Sequence, residues 1–129
     1  MQADLHEVGA ARGKELPGAV LTQPFGEEWD VWKVCGKIFM LQTVLGGEPV
    51  VILKASPADG KALREEFSEI TPGYHMNKRH WITVHPGVRV DSQLMNQLVT
   101  ESYLLVVENL PKTRRSVDAE AYVRAIDEA

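Results

Sequence analysis

Trp29-Asp30-Val31-Trp32-Lys33-Val34, then Cys35-Gly36-Lys37, then Ile38–Leu45, Gly46-Gly47 and Val50–Lys54, is the stretch whose reading decides the fold. Its three runs are rich in β-branched and aromatic residues, and short glycine-bearing breaks separate them. Parallel neighbours would need a crossover of a dozen residues or more, and these breaks are far shorter. The stretch therefore predicts an antiparallel meander with a tight hairpin at Cys35-Gly36-Lys37.

Helical patterns flank the meander. Residues 3–16 place Leu5, Val8, Ala11 or Arg12, and Glu15 or Leu16 at three- and four-residue steps; Gly9 and Gly13 weaken this helix and Pro17-Gly18 ends it. Residues 19–28 read as an irregular or briefly extended connection through Pro24-Phe25-Gly26. Ser56-Pro57 is an N-cap followed by proline at the first helical position, and the helix is expected to reach Ile70, with Ala62 or Leu63, Phe67 and Ile70 on one face. After Thr71-Pro72-Gly73 the chain reads as a polar loop that ends in a strand, Trp81-Ile82-Thr83-Val84. Asp91 caps a long helix whose stripe holds Leu94, Met95, Leu98, Val99, Leu105 and Val106, closed by Asn109-Leu110-Pro111. Ser116 is expected to cap a short last helix, with Ala119, Tyr122, Val123 and Ile126 on one face. The predicted order, α-β-β-β-α-β-α-α, is that of an α+β protein with helices mainly on one face of an antiparallel sheet.

The 129 residues fit a single domain, and 44% hydrophobic with 25% charged is the balance of an ordinary globular chain. One cysteine, Cys35, excludes an internal disulfide framework. No signal-peptide pattern opens the chain and no run of 18 apolar residues occurs, so a cytoplasmic protein without membrane association is expected. Fourteen Lys and Arg against 18 Asp and Glu give a net charge of −4, which argues against a strong non-specific nucleic-acid binder. The charge is unevenly distributed, however.

From Pro24 to Pro111 the chain resembles the MmcQ/YjbR family. The matching pieces are Pro24-Phe25-Gly26-Glu27-Glu28-Trp29-Asp30-Val31, Val34-Cys35-Gly36-Lys37, Leu53-Lys54 with Ser56-Pro57, and Pro72-Gly73-Tyr74-His75-Met76-Asn77-Lys78-Arg79-His80-Trp81, with Ser102-Tyr103 and Leu110-Pro111 beyond. The resemblance implies a two-layer fold similar to the type III secretion chaperones, α-β3-α-β2-α, with one sheet of about five strands. It implies a further strand near residues 73–76. It also implies DNA binding, since the family has been described as carrying a double-wing DNA-binding motif. Pro86-Gly87-Val88-Arg89-Val90 departs from the family's usual approach to the long helix, and residues 112–129, a basic linker and the last helix, lie past the match.

Between Ile70 and Val90 there is no Asp or Glu, while Lys78, Arg79 and Arg89 bring positive charge and His75 and His80 can add more at lower pH. Asn109–Val117 is also acid-free and holds Lys112, Arg114 and Arg115. Cations not cancelled locally, with Tyr74, Asn77 and Trp81 beside them for hydrogen bonding and stacking, suit a phosphate-bearing ligand. The competing reading is a structural loop whose charges sit in water, with Trp81 in the core. All six cations on phosphates would give a salt slope of about −5.

Other clusters carry less. His80 and His85 differ by an odd number and point to opposite faces of a continuous strand, so no metal site is expected with His75. Glu65, Glu66 and Glu69 read as a solvated helix face, with Lys61 one turn before Glu65. Cys35 reads as a small turn residue, with no neighbour in sequence to activate a thiolate. Phosphate-loop, dinucleotide and nucleophile-elbow motifs are absent.

The sequence thus points first to a non-catalytic module that engages nucleic acid, duplex DNA foremost, through residues 74–81 with Arg89, Lys112, Arg114 and Arg115. No cofactor, no metal and a monomer or weak dimer are expected, and the chain names no protein partner. A chaperone-like interaction module is the second reading, by analogy of fold alone. A small-molecule enzyme using His75 and His80 is the third.

Overall fold

In the computed structural model, which describes residues 4–111, Asp4 accepts from the Glu7 amide (3.1 Å) and starts α1, Leu5–Glu15. Gly9 and Gly13, which weaken this helix in isolation, are what allow it to lie on the sheet. A Cβ at Gly9 would stand 2.9 Å from Gln42 Nε2, and one at Gly13 would stand 3.0 Å from Trp32 Cε3. Packing outweighs propensity here.

The chain continues as β1 (Ala19–Thr22), β2 (Asp30–Val34), β3 (Lys37–Leu45) and β4 (Glu48–Lys54), then α2 (Pro57–Glu66), β5 (Ile70–Pro72), β6 (Trp81–Val84) and α3 (Ser92–Glu108). The expected meander is present as β2–β3–β4. Its first turn, Cys35-Gly36, has φ of 49° and 76°, the doubly positive pattern of a two-residue hairpin loop. Ser56 and Asp91 cap α2 and α3 as expected, accepting from Asp59 N and Leu94 N.

One expectation is sharpened and two need correction. Residues 19–22 form a regular edge strand, with Ala19 opposite Val34 and Thr22 opposite Val31. The second helix stops at Glu66, because Phe67 turns extended (φ −115°, ψ 118°) and frees Ile70–Pro72 to pair with β6. The strand implied near 73–76 is therefore β5, a few residues earlier. Among the described residues the sheet has six strands in the order β1-β2-β3-β4-β6-β5, every pair antiparallel. The helix expected after Ser116 lies outside the described residues.

Alternation along the strands splits the side chains between two faces. Trp32, Val34, Met40, Val51, Leu53, Ile82 and Val84 join Leu5, Met95, Val99 and Tyr103 in the main core beneath α1 and α3. Phe39 joins them because β3 carries a bulge. Trp32 pairs with Met40 but Lys33 pairs with Ile38, which leaves Phe39 as the extra residue. Its ring meets Tyr103 edge-on, with centroids 5.5 Å apart. The Tyr103 hydroxyl donates to Pro17 O (2.6 Å), fixing the end of α1 to α3.

Candidate functional site

The opposite face of the sheet has its own apolar cluster. Val31, Leu41 and Ile52 are buried there under Trp29, Ile38, Met76 and Trp81, side chains from strands and loops. The 73–80 loop thus covers the second face, with Met76 packed into the cluster.

Local chemistry holds the loop down. At Gly73 the chain passes so close to Trp81 that a Cβ would lie 2.5 Å from the Trp81 Cβ. Gly73 N donates to Trp81 O (2.9 Å). The Thr83 hydroxyl donates to Pro72 O (3.1 Å) and accepts from Tyr74 N (2.9 Å). His75 then takes a left-handed conformation (φ 61°), uncommon for a side chain of its size. Asn77 Oδ1 accepts from Arg79 N (2.9 Å), and the Lys78 ammonium reaches back to Gly73 O (3.0 Å). The chain rejoins β4 where Ala55 N donates to His80 O (2.9 Å).

Two adjoining hollows result. The first, about 350 Å³, is walled by Phe25, Trp29, Tyr74 and His75 over Ile38, Leu41 and Met76. The Trp29 and Tyr74 rings lie parallel within 6°, centroids 6.4 Å apart, and His75 is 4.0 Å from the Tyr74 ring. Phe25 is 64% exposed. The second hollow, about 530 Å³, shares Ile38 with the first and is bordered by Lys37, Lys54, Trp81 and the end of α3. The Lys54 ammonium is 6.0 Å from the Trp81 ring centroid, within reach of a cation–π attraction. Among the described residues no carboxylate lines either hollow. Glu27, Glu28 and Asp30 instead line a separate hollow with His6.

The structure brings some of the expected residues together and separates others. Tyr74, His75, Asn77, Lys78, Arg79 and His80 are all exposed on one loop, and Trp81 is half-buried beneath its end. The Asn77 carbonyl oxygen and the Lys78 ammonium are partly committed to holding that loop. Arg89 does not converge with them. It sits at the other end of the β5–β6 hairpin, donating to Glu66 O (2.7 Å), near the Glu66 carboxylate (3.8 Å) and over the Phe67 ring (4.6 Å). Lys112, Arg114 and Arg115 lie outside the described residues.

Sequence reasoning missed Phe25, Trp29, Lys33, Lys37 and Lys54. Strand alternation was the available signal for Lys33, which shares the open face with Val31. For Lys54 it was the pairing opposite Trp81. The two remaining histidines, His6 and His85, lie outside this loop, each held by its own hydrogen bonds. His6 Nε2 lies between Thr43 O and Val50 O, and His85 bridges Glu48 and Thr71. Among the described residues no three His, Cys, Asp or Glu gather as a metal-holding group, and no helix is long and apolar enough to cross a membrane.

These features define a two-layer α+β protein whose sheet keeps one face for helices and leaves the other free of them, where the 73–80 loop covers part of it and aromatic rings and lysines rim it. The chain belongs to the YjbR family, whose model matches residues 14–105. It is 44% identical over 108 residues to the uncharacterized protein YbdF of Escherichia coli O157:H7, covering 84% of this chain and 88% of that one. It is 36% identical over 104 residues to the uncharacterized protein YjbR of Escherichia coli strain K12, covering 78% and 86%. Among solved structures it resembles Deinococcus radiodurans protein DR2400, described as a DUF419 domain, with a TM-score of 0.75 and 34% identity over 81% of this chain and 80% of that one. A Pseudomonas syringae protein shares the fold, at a TM-score of 0.63 and 24% identity over 80% and 97% of the two chains.

Proposed function

We propose that this protein is a non-catalytic nucleic-acid-binding module that takes its ligand on the open sheet face. The observation that carries this reading is the hollow where Lys37 and Lys54 stand beside Trp81, lined by no carboxylate among the described residues. Lys33, paired opposite Ile38, and the exposed Lys78 and Arg79 of the loop that leads into Trp81 add further positive charge. Lysines placed this way neutralise phosphates, and the indole offers a flat face to a base or sugar. The acidic balance of the rest of the chain orients the ligand toward this face instead of attracting it everywhere. On this reading DNA is the physiological ligand and the protein works in the cytoplasm.

The test is titration of labelled duplex and single-stranded DNA at several salt concentrations. Binding is expected at low salt, and Lys37→Ala with Lys54→Ala should flatten the slope of log K against log salt by roughly 1.4–1.8, from about 0.7–0.9 per phosphate contact. Absence of binding at low salt, or an unchanged slope in the double variant, refutes the proposal. A peptide-binding role draws support from one observation, the exposure of Phe25 at the mouth of an apolar hollow.

A further inference from the structure

Two kinds of hollow adjoin at Ile38, one on the open face and one at the strand ends beside the close of α3, and each suits a different part of one ligand. The Phe25–Trp29–Tyr74–His75 hollow is aromatic and apolar, and at about 350 Å³ it falls at the small end of ligand pockets. Its neighbour across Ile38 carries the lysines. A duplex presents phosphates but keeps its bases stacked inside. Reading it from the major groove calls for a projecting helix or two-stranded ribbon. Neither projects from this face among the described residues. The helices pack on the other side, and the 73–80 loop is pinned flat by Met76, Thr83 and Gly73.

We infer that the ligand is a single strand, one of whose unpaired bases enters the aromatic hollow while its phosphates lie across Lys37 and Lys54. This rests on the nucleic-acid reading above and narrows it. An unstacked base has two flat faces, and aromatic side chains accept them with little regard to sequence. Phe25 and Tyr74 supply exposed rings, and the His75 ring beside Tyr74 is placed to hydrogen-bond a base edge. The strand is therefore held over a short footprint that ends at the aromatic hollow.

The experiment compares a short labelled single strand with the duplex of the same sequence by fluorescence anisotropy in low salt, on the full chain. Phe25→Ala and Tyr74→Leu are each measured, with thermal melting to confirm folding; Phe25 is largely exposed, and leucine keeps apolar contact at position 74. The single strand is expected to bind at least about tenfold more tightly than the duplex, and each variant to lose about tenfold in single-strand affinity with duplex affinity unchanged. Equal affinity for the two forms, or variants that bind the single strand as well as the parent, overturns the inference. If Lys37→Ala with Lys54→Ala still weakens binding in that case, the nucleic-acid reading stands without it. No binding of either form overturns both. Competition by a free nucleoside monophosphate as effective as the strand overturns the single-strand inference in favour of a nucleotide pocket.

Discussion

Replacing Ser102 with alanine should destabilise the protein far more than the loss of one oxygen suggests. The β3–β4 ladder runs from Leu45↔Glu48 to Met40↔Leu53 and stops there. The next rung would join Phe39 to Lys54, and the Ser102 hydroxyl stands in its place. It donates to Phe39 O (2.5 Å) and accepts from Lys54 N (2.8 Å), and Ser102 is fully buried. Alanine would leave a buried carbonyl and a buried amide without partners, at roughly 1–3 kcal/mol each. Allowing for partial relaxation, the loss should be about 2–4 kcal/mol, a large share of a typical stability of roughly 5–15 kcal/mol. Urea unfolding followed by tryptophan fluorescence measures it directly. With a slope of about 2 kcal/mol per molar urea, the midpoint should fall by about 1–2 M at unchanged slope. A loss below about 0.5 kcal/mol would mean that the strands close and Phe39 bonds Lys54 directly. The spliced rung would then have no structural role.

Gly73→Ala forces a methyl group against the Trp81 backbone. It should cost about 1–3 kcal/mol, lower the melting temperature by several degrees and speed proteolysis within residues 73–80; unchanged melting would refute the close approach. Arg89→Ala removes a solvent-exposed pair with Glu66 and a contact with Phe67. It should cost under about 1 kcal/mol and leave nucleic-acid affinity close to that of the parent. A loss as large as that of the Lys37/Lys54 double variant would return Arg89 to the binding surface.

The meander and the three described helices were legible because their signals are local: turn residues, caps and periodic apolar stripes within each segment. The two short edge strands were not. Ala19–Thr22 is four residues set between Pro17-Gly18 and Pro24, and its regularity comes from its partner β2. Ile70–Pro72 contains a proline, tolerable because β5 is an edge strand, where an amide can go unpaired. The glycines of α1 were read for propensity, while their effect lies in the distance to Trp32 and Gln42, a tertiary quantity.

The candidate site shows the same limit in charge. The acid-free window from Ile70 to Val90 is continuous in sequence but spans both ends of a hairpin, so Arg89 separates from Lys78 and Arg79. Lys37 and Lys54 stand far apart in sequence, yet folding brings both to one hollow with Trp81, and Lys33 pairs opposite Ile38, which lines the same hollow. The bulge at Phe39 completes the arrangement. In an unbroken β3, Phe39 would share a face with Leu41, and Ile38 would share one with Met40. The extra residue turns Phe39 into the core against Tyr103 and sends Ile38 to the open face, where it forms the floor shared by the aromatic and the lysine hollows. One inserted residue therefore links the packing of the main core to the continuity of the binding surface. Since Phe39 O is also the group bonded by Ser102, the stability of that link and the shape of the site depend on the same few atoms.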